Sequence, residues 1–173
     1  MRQQPIRYRG LVAGSLLLTL LSACASMPSG APSTSLPLPT SATPLEDYDW
    51  HYDVNADEVQ LAYGLANSDD IPFGFSCRPG SGKVMLNSVS TNRETKTITV
   101  ATADLMNTYR ARQEEAVMFD GYLLEAETTT NDAVLASFAN HGWMSILNDG
   151  AWVGLAPQSG TKVKTAEFIA ACR

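Results

Sequence analysis

Hydrophobic and polar residues alternate at a period of two along much of residues 45–173. Such alternation is typical of β-strands that bury one face. In the clearest case, Phe73, Phe75 and Cys77 alternate with a glycine and a serine. Turn-forming Gly, Pro, Asn and Asp residues separate the alternating segments. The strands predicted from this pattern are 48–52, 59–65, 73–77, 83–89, 95–101 and 121–128.

One segment, 104–118, has no single periodicity. Its residues are good helix formers, yet those near 108–114 also alternate as they would in a strand. We expect a strand over 108–114 with a charged outer face.

A β-hairpin is predicted close to the C-terminus. Asp149-Gly150 lies between the apolar β-forming segments 143–147 and 151–155, and Asp-Gly in that setting is a strong hairpin signal. With the other strands, this predicts a mainly β protein of about eight strands, arranged as a small antiparallel β-sandwich or barrel.

Two short helices complete the predicted fold. The first would begin at Asn131 or Asp132, run through Ala139 and end at His141-Gly142. The second, a short C-terminal helix, would be capped by Thr165 and would place Phe168, Ile169 and Cys172 on one face.

The first 24 residues have the composition of an export signal. Arg2, Arg7 and Arg9 precede a largely apolar run over 11–21, and no acidic residue occurs there. A basic start, a short apolar run and small residues describe a secretory signal peptide. The apolar run is about 11 residues long, whereas a membrane-spanning helix needs roughly 18.

This signal ends in Leu21-Ser22-Ala23-Cys24, which resembles the lipobox of bacterial lipoproteins. The resemblance covers residues 1–24 only. It implies cleavage between Ala23 and Cys24, a thioether-linked diacylglycerol on Cys24 and an acyl chain such as palmitate on the new amino terminus. Several acyl chains would anchor the protein permanently. The alternative is a cysteine that happens to end an ordinary signal peptide.

The residue after the lipobox cysteine is Ala25. In Gram-negative lipoproteins, Asp at that position favours retention at the inner membrane, so alanine favours the inner leaflet of the outer membrane. The protein would then face the periplasm.

Three regions are predicted along the chain: a signal peptide over 1–23, a lipidated cysteine and disordered linker over 24–44, and a single globular β-rich domain over 45–173. Residues 25–44 contain five of the nine prolines and no charged or aromatic residue. Such a segment cannot bury enough apolar surface to offset the entropy of ordering the chain.

Charge narrows the choice of partners. Removal of residues 1–23 takes away three of the 12 basic residues and none of the 18 acidic ones, so nine basic residues face 18 acidic ones and the formal net charge becomes −9. A nucleic-acid partner is disfavoured, because phosphate binding needs a basic surface.

The cysteines predict one disulfide. If Cys24 carries lipid, an exported chain retains only Cys77 and Cys172, and two remaining cysteines in an oxidising compartment usually pair. The alternative is two buried thiols.

No catalytic or metal-binding pattern stands out in the sequence. The two histidines, His51 and His141, are not spaced as metal ligands, and Gly80-Ser81-Gly82 lacks the spacing of a nucleophile elbow or a phosphate-binding loop. Acidic pairs such as Glu125 and Glu127 are interpreted as exposed strand residues rather than as glycosidase carboxylates. We therefore predict no catalytic residue, no metal and no cofactor apart from the covalent lipid.

Four aromatic residues remain as candidates for a surface that binds glycan or protein: Trp50, Tyr63, Trp143 and Trp152. Large aromatic residues are also common in β cores, so both interpretations stay open.

These features predict a membrane-anchored periplasmic lipoprotein that is a non-catalytic binding or structural module of the cell envelope. Its partners would be the lipid bilayer, through the acyl chains, and an envelope protein or glycan.

One alternative is an inhibitor of an envelope hydrolase such as lysozyme, because membrane-bound lysozyme inhibitors resemble this chain in outline, with a lipobox, a small β-barrel and a disulfide near the ends. A second alternative is a hydrolase with an unrecognised site. The globular region also resembles small uncharacterised exported bacterial proteins that end in Phe-x-x-x-Cys, a likeness that implies no function.

Overall fold

The computed structural model describes residues 36–117, 120–158 and 160–173. This part of the chain forms two antiparallel sheets and two helices, which confirms the predicted mainly β class with a short C-terminal helix. Its strands are β1 (Tyr48–Val54), β2 (Val59–Leu65), β3 (Phe73–Cys77), β4 (Lys83–Ser90), β5 (Thr97–Ala101), β6 (Met106–Arg110), β7 (Arg112–Glu115), β8 (Tyr122–Thr129), β9 (Met144–Asn148) and β10 (Ala151–Leu155). Its helices are α1 (Ala133–His141) and α2 (Thr161–Cys172).

Among the described residues, six strands form the larger sheet in the order β1-β2-β3-β4-β8-β7, and four form the smaller sheet in the order β10-β9-β5-β6. A single hydrophobic cluster includes side chains from both sheets and both helices. At its centre, the ring of Trp50 lies 4.7 Å from the ring of Phe138 on α1 and 5.3 Å from that of Tyr63 on β2. The sheets and helices therefore share one core in a sandwich-like arrangement.

The segment predicted as one strand over 108–114 is in fact two strands in different sheets. β6 pairs with β5 of the smaller sheet, and β7 pairs with β8 of the larger one. Ala111 separates them, is buried, and donates its N–H to the carbonyl of Lys96 at 2.9 Å. The chain thus crosses between the two sheets at this alanine.

The predicted hairpin and the predicted ends of α1 match the structure. Asp149 and Gly150 both have positive φ, at 46° and 85°, as a type I′ turn requires. Asp132 caps α1 by accepting the N–H of Val134 at 2.7 Å, and Gly142 ends the helix in the left-handed conformation, with φ of 80°.

Helix α2 begins four residues earlier than predicted. Its N-cap residue is Gly160, with φ of 75°, and the prediction that Thr165 caps the helix is wrong. Thr165 lies one turn inside the helix, where its buried hydroxyl donates to the carbonyl of Thr161 at 2.9 Å. A threonine hydroxyl can bond the carbonyl four residues earlier as well as cap a helix, so residue type alone did not fix the start. No helix in the described part of the chain is long and apolar enough to cross a membrane.

The C-terminal end of α2 is fastened to β3. The sulfur atoms of Cys77 and Cys172 lie 1.97 Å apart, a disulfide separation. The turn after β3 also donates two backbone N–H groups to the end of the helix, from Gly80 to the carbonyl of Ala171 at 2.9 Å and from Gly82 to that of Cys172 at 2.8 Å. The glycine-rich turn thus satisfies carbonyls that a helix end leaves without intrahelical partners.

The last part of the predicted linker, residues 36–44, has contacts with the folded domain. Residues 36–44 lie beside β10, where the indole N–H of Trp152 donates to the carbonyl of Pro37 at 3.0 Å. A Cβ built on Gly154 would lie 3.0 Å from the Cβ of Ala42, so glycine permits this close approach. The rest of the predicted linker, 24–35, and the signal peptide lie outside the described residues.

Candidate functional site

Two of the four candidate surface aromatics belong to the core instead. Trp50 and Tyr63 are both 0% exposed, which corrects their assignment to a binding surface. The indole N–H of Trp50 donates to the carbonyl of Leu155 at 3.3 Å, and the hydroxyl of Tyr63 donates to that of Ala156 at 3.1 Å. Each therefore packs in the core and satisfies its polar atom with backbone, as buried Trp and Tyr usually do. Burial also raises the pKa of the Tyr63 hydroxyl.

The other two aromatics are partly exposed. The indole of Trp152 is occupied by its hydrogen bond to Pro37. Trp143 lies between α1 and β9 and lines a surface cavity of about 460 Å³. This is within the size range of small-molecule sites in proteins.

We call this cavity the α1–α2 cleft, because the end of α1 and the start of α2 both line it. Segment 36–44 and the residues after β10 supply the remaining walls. The residues that line it are Ala42, Pro44, His141, Gly142, Trp143, Ala156, Pro157, Gly160, Thr161, Lys162 and Val163.

The two helix ends meet through Gly142 and Lys162. A Cβ built on Gly142 would lie 3.0 Å from the Cγ of Lys162 and 3.3 Å from its Cε. The lysine stem therefore crosses the end of α1. Gly142 is needed here twice, for its positive φ and for the space that the lysine occupies.

The polar side of the cleft is the N-terminus of α2. The hydroxyl of Thr161 is buried and has no hydrogen-bond partner among the described residues. The N-cap glycine supplies no side-chain acceptor, and the first turn of α2 contains no acidic residue. No acidic residue is among those that line the cleft, whereas a lysine and a histidine are.

A polar cluster beside the cleft joins Asp104, Ser137 and His141. The Ser137 hydroxyl donates to the Asp104 carboxylate and also lies 2.8 Å from the hydroxyl of Thr102. The hydrogen bond from Ser137 lowers the pKa of Asp104, burial opposes that shift, and the charge of His141 supports it. These residues are far apart in sequence, so no local pattern indicated the cluster.

This cluster contains the residue types of a serine hydrolase in an unsuitable arrangement. Nδ1 of His141 lies 3.0 Å from the carbonyl oxygen of Ser137, and a carbonyl can only accept. The Ser137 hydroxyl oxygen lies slightly farther from the same Nδ1, at 3.2 Å. The tautomer that satisfies the carbonyl has its proton on Nδ1 and in that form cannot take one from the hydroxyl of Ser137, a residue that is 5% exposed. A general base must be able to accept the proton of its nucleophile, so we interpret the histidine as a cap on the last turn of α1.

The remaining charged candidates have structural partners. His51 lies on β1 with Nε2 3.1 Å from the carbonyl oxygen of Gly64 on β2. Glu125 pairs with Arg112, and Glu127 pairs with Lys83 at 3.0 Å, both across neighbouring strands. Over the described ranges, no three His, Cys, Asp or Glu side chains are placed to hold a metal ion.

No family model, curated protein or solved structure matches this chain. Function is therefore inferred from the residues and from the geometry of the cleft.

Proposed function

We propose that this protein is a lipid-anchored lipoprotein of the cell envelope whose β-sandwich domain is a non-catalytic binding module facing the periplasm. The observation that carries the proposal is Leu21-Ser22-Ala23-Cys24, which follows a basic start and a short apolar run. That combination predicts export and acylation of Cys24. Ala25 favours sorting to the outer membrane.

The α1–α2 cleft supports the binding part of the proposal. It is mainly apolar, with a few polar groups at one end, which is the usual composition of a ligand site. It is open on a surface that the described part of the chain leaves uncovered, and its walls come from separate elements of the fold.

The non-catalytic part is supported by the histidine at the edge of the cleft. A serine hydrolase built on Ser137 would need Nδ1 of His141 to accept the hydroxyl proton, and the carbonyl oxygen of Ser137 lies closer to that nitrogen, at 3.0 Å, than the hydroxyl does, at 3.2 Å. The nearby carboxylate of Asp104 has a lowered pKa, which makes it a weaker base than an ordinary aspartate.

Lipidation is tested by expressing the full chain in a Gram-negative host fed with an alkyne analogue of palmitate. We expect label on the wild-type protein, recovery in the outer-membrane fraction, and loss of both in Cys24→Ala. Cys77→Ala is the matched control, since it removes another cysteine and should leave the label in place. An unlabelled wild-type protein in the soluble periplasmic fraction would overturn the proposal.

A further inference from the structure

We infer that the α1–α2 cleft binds a small monocarboxylate with an aliphatic or aromatic body, whose carboxylate lies at the N-terminus of α2 against Thr161 and Lys162. This inference rests on the proposed role as a binding module and names the class of ligand.

The first support is the start of α2. The first-turn N–H groups of a helix have no intrahelical acceptor, and α2 begins with a glycine that offers no side-chain cap. The helix dipole places partial positive charge at the same end. Together they favour an anion in front of residues 161–163.

A second, independent support is the hydroxyl of Thr161. This residue lines the cleft, is 2% exposed, and its Oγ1 has no partner among the described residues. Buried polar groups are nearly always hydrogen-bonded, because leaving one unpaired is costly. Because this hydroxyl is itself covered, the Thr161 side chain would turn to its other helical rotamer to donate to one carboxylate oxygen. The second oxygen would accept from first-turn N–H groups.

The charged residues that line the cleft also favour an anion. The chain carries 18 acidic residues against 12 basic ones, yet none of the acidic residues lines the cleft. Lys162 does, and its stem is held across Gly142. Among the described residues that line the cleft, His141 is the only other one with a titratable side chain. A single lysine beside a helix start matches a single negative charge.

The apolar walls select for the rest of the ligand. Trp143, Pro44 and Pro157 line the cleft, and Val163 is 63% exposed at its edge. A volume of about 460 Å³ exceeds what a carboxylate alone fills. A hydrocarbon body would cover these side chains, which an inorganic anion would leave in water.

The test is an amide-shift titration of the full mature chain, residues 24–173 with Cys24→Ala, so that no detergent competes for the cleft. The probes are octanoate, octanol, octylamine and inorganic phosphate. We expect octanoate to shift the amides of residues 161–163 saturably, and to bind at least tenfold more tightly than octanol or octylamine. Phosphate should bind more weakly than octanoate.

Three variants locate the carboxylate. Thr161→Val keeps the side-chain shape and should weaken octanoate about tenfold, with the melting temperature unchanged or higher. Lys162→Met should weaken it about fivefold, and less in high salt. Lys83→Met, on β4 next to the glycine that meets the C-terminal end of α2, should leave the affinity unchanged.

Equal affinity for octanoate and octanol would overturn the inference and leave a merely apolar cleft. Octanoate shifts confined to residues away from 161–163, or no shift with any probe, would also overturn it. Each of these results is separable from failure of the proposed function, which the palmitate label reports independently.

Discussion

The two ends of helix α2 differ in how the fold treats their polar groups. At the C-terminal end, Gly80 and Gly82 donate to the last carbonyls and Cys172 is joined to Cys77. At the N-terminal end, the cap is a glycine without a side-chain acceptor, and the hydroxyl of Thr161 is buried without a described partner. A helix end by itself therefore indicates no site. An end with an unsatisfied buried group beside a cavity does indicate one.

The largest expected effect is at the C-terminal end of α2, which the disulfide and the turn after β3 fasten. Removing the disulfide in Cys77→Ala/Cys172→Ala frees a cross-link spanning 95 residues, which the chain-entropy model values at about 4–5 kcal/mol. Urea unfolding of the mature chain measures the loss, with Cys24→Ala as the reference. A loss below about 1 kcal/mol would show that this end of α2 is held mainly by the turn after β3.

The next effect is at the contact between α1 and α2. Gly142→Ala should cost about 1–2 kcal/mol, because it combines a positive φ with a Cβ that meets the Lys162 stem. Gly80→Ala is the matched control, since it has φ of 71° and nothing within 4 Å of the new Cβ. Adding Lys162→Ala should reduce the cost of Gly142→Ala to that of Gly80→Ala. If Gly142→Ala and Gly80→Ala lower the free energy of unfolding equally while Lys162 is present, the placement of Lys162 is contradicted.

A smaller effect should separate two threonines of α2. Thr161→Val removes an unpaired buried hydroxyl and should leave the free energy of unfolding unchanged or raise it by up to about 1 kcal/mol. Thr165→Val removes a hydroxyl that donates to the carbonyl of Thr161 and should lower it by about 0.5–1 kcal/mol. Chemical denaturation measures both. If both variants lose stability equally, then the Thr161 hydroxyl has a partner.

The smallest effect concerns the pKa of Asp104. Because this pKa is lowered, chiefly by the Ser137 hydroxyl, ionised Asp104 favours the folded state above the ordinary pKa near 3.8. That contribution is lost as the pH falls through the lower folded value. Carboxyl chemical shifts followed by NMR should give a midpoint below 3.8, and Ser137→Ala should raise it. Ser76→Ala, on β3 of the larger sheet, should leave the midpoint of Asp104 unchanged. A midpoint that Ser137→Ala does not move would refute the hydrogen bond between Ser137 and Asp104.

Local pattern predicted the strands because buried and more exposed residues alternate along several of them, most regularly along β4. By the same alternation, Trp50 lies on one strand face with Tyr48 and Tyr52, and Tyr63 lies on one face with Leu61. The sequence therefore did contain a signal for the burial of Trp50 and Tyr63. The split of 108–114 at Ala111 left no local signal, because the choice between two sheets depends on which strands lie nearby.

The cleft was beyond sequence reasoning for a different reason. Gly142 and Lys162 are 20 residues apart, and their contact follows from the packing of α1 on α2. The sequence also did not indicate that α2 begins at Thr161. A glycine N-cap has no side-chain signature, whereas Thr165 is a residue type that commonly caps helices.

The most direct test of the central claim is the intact mass of the protein purified from bacterial outer membranes, followed by the mass of its N-terminal peptide. We predict a chain that begins at Cys24 and carries a diacylglyceryl group on sulfur and one acyl chain on the amino terminus. A mature chain that begins at any other residue, or that begins at an unmodified Cys24, would contradict the account.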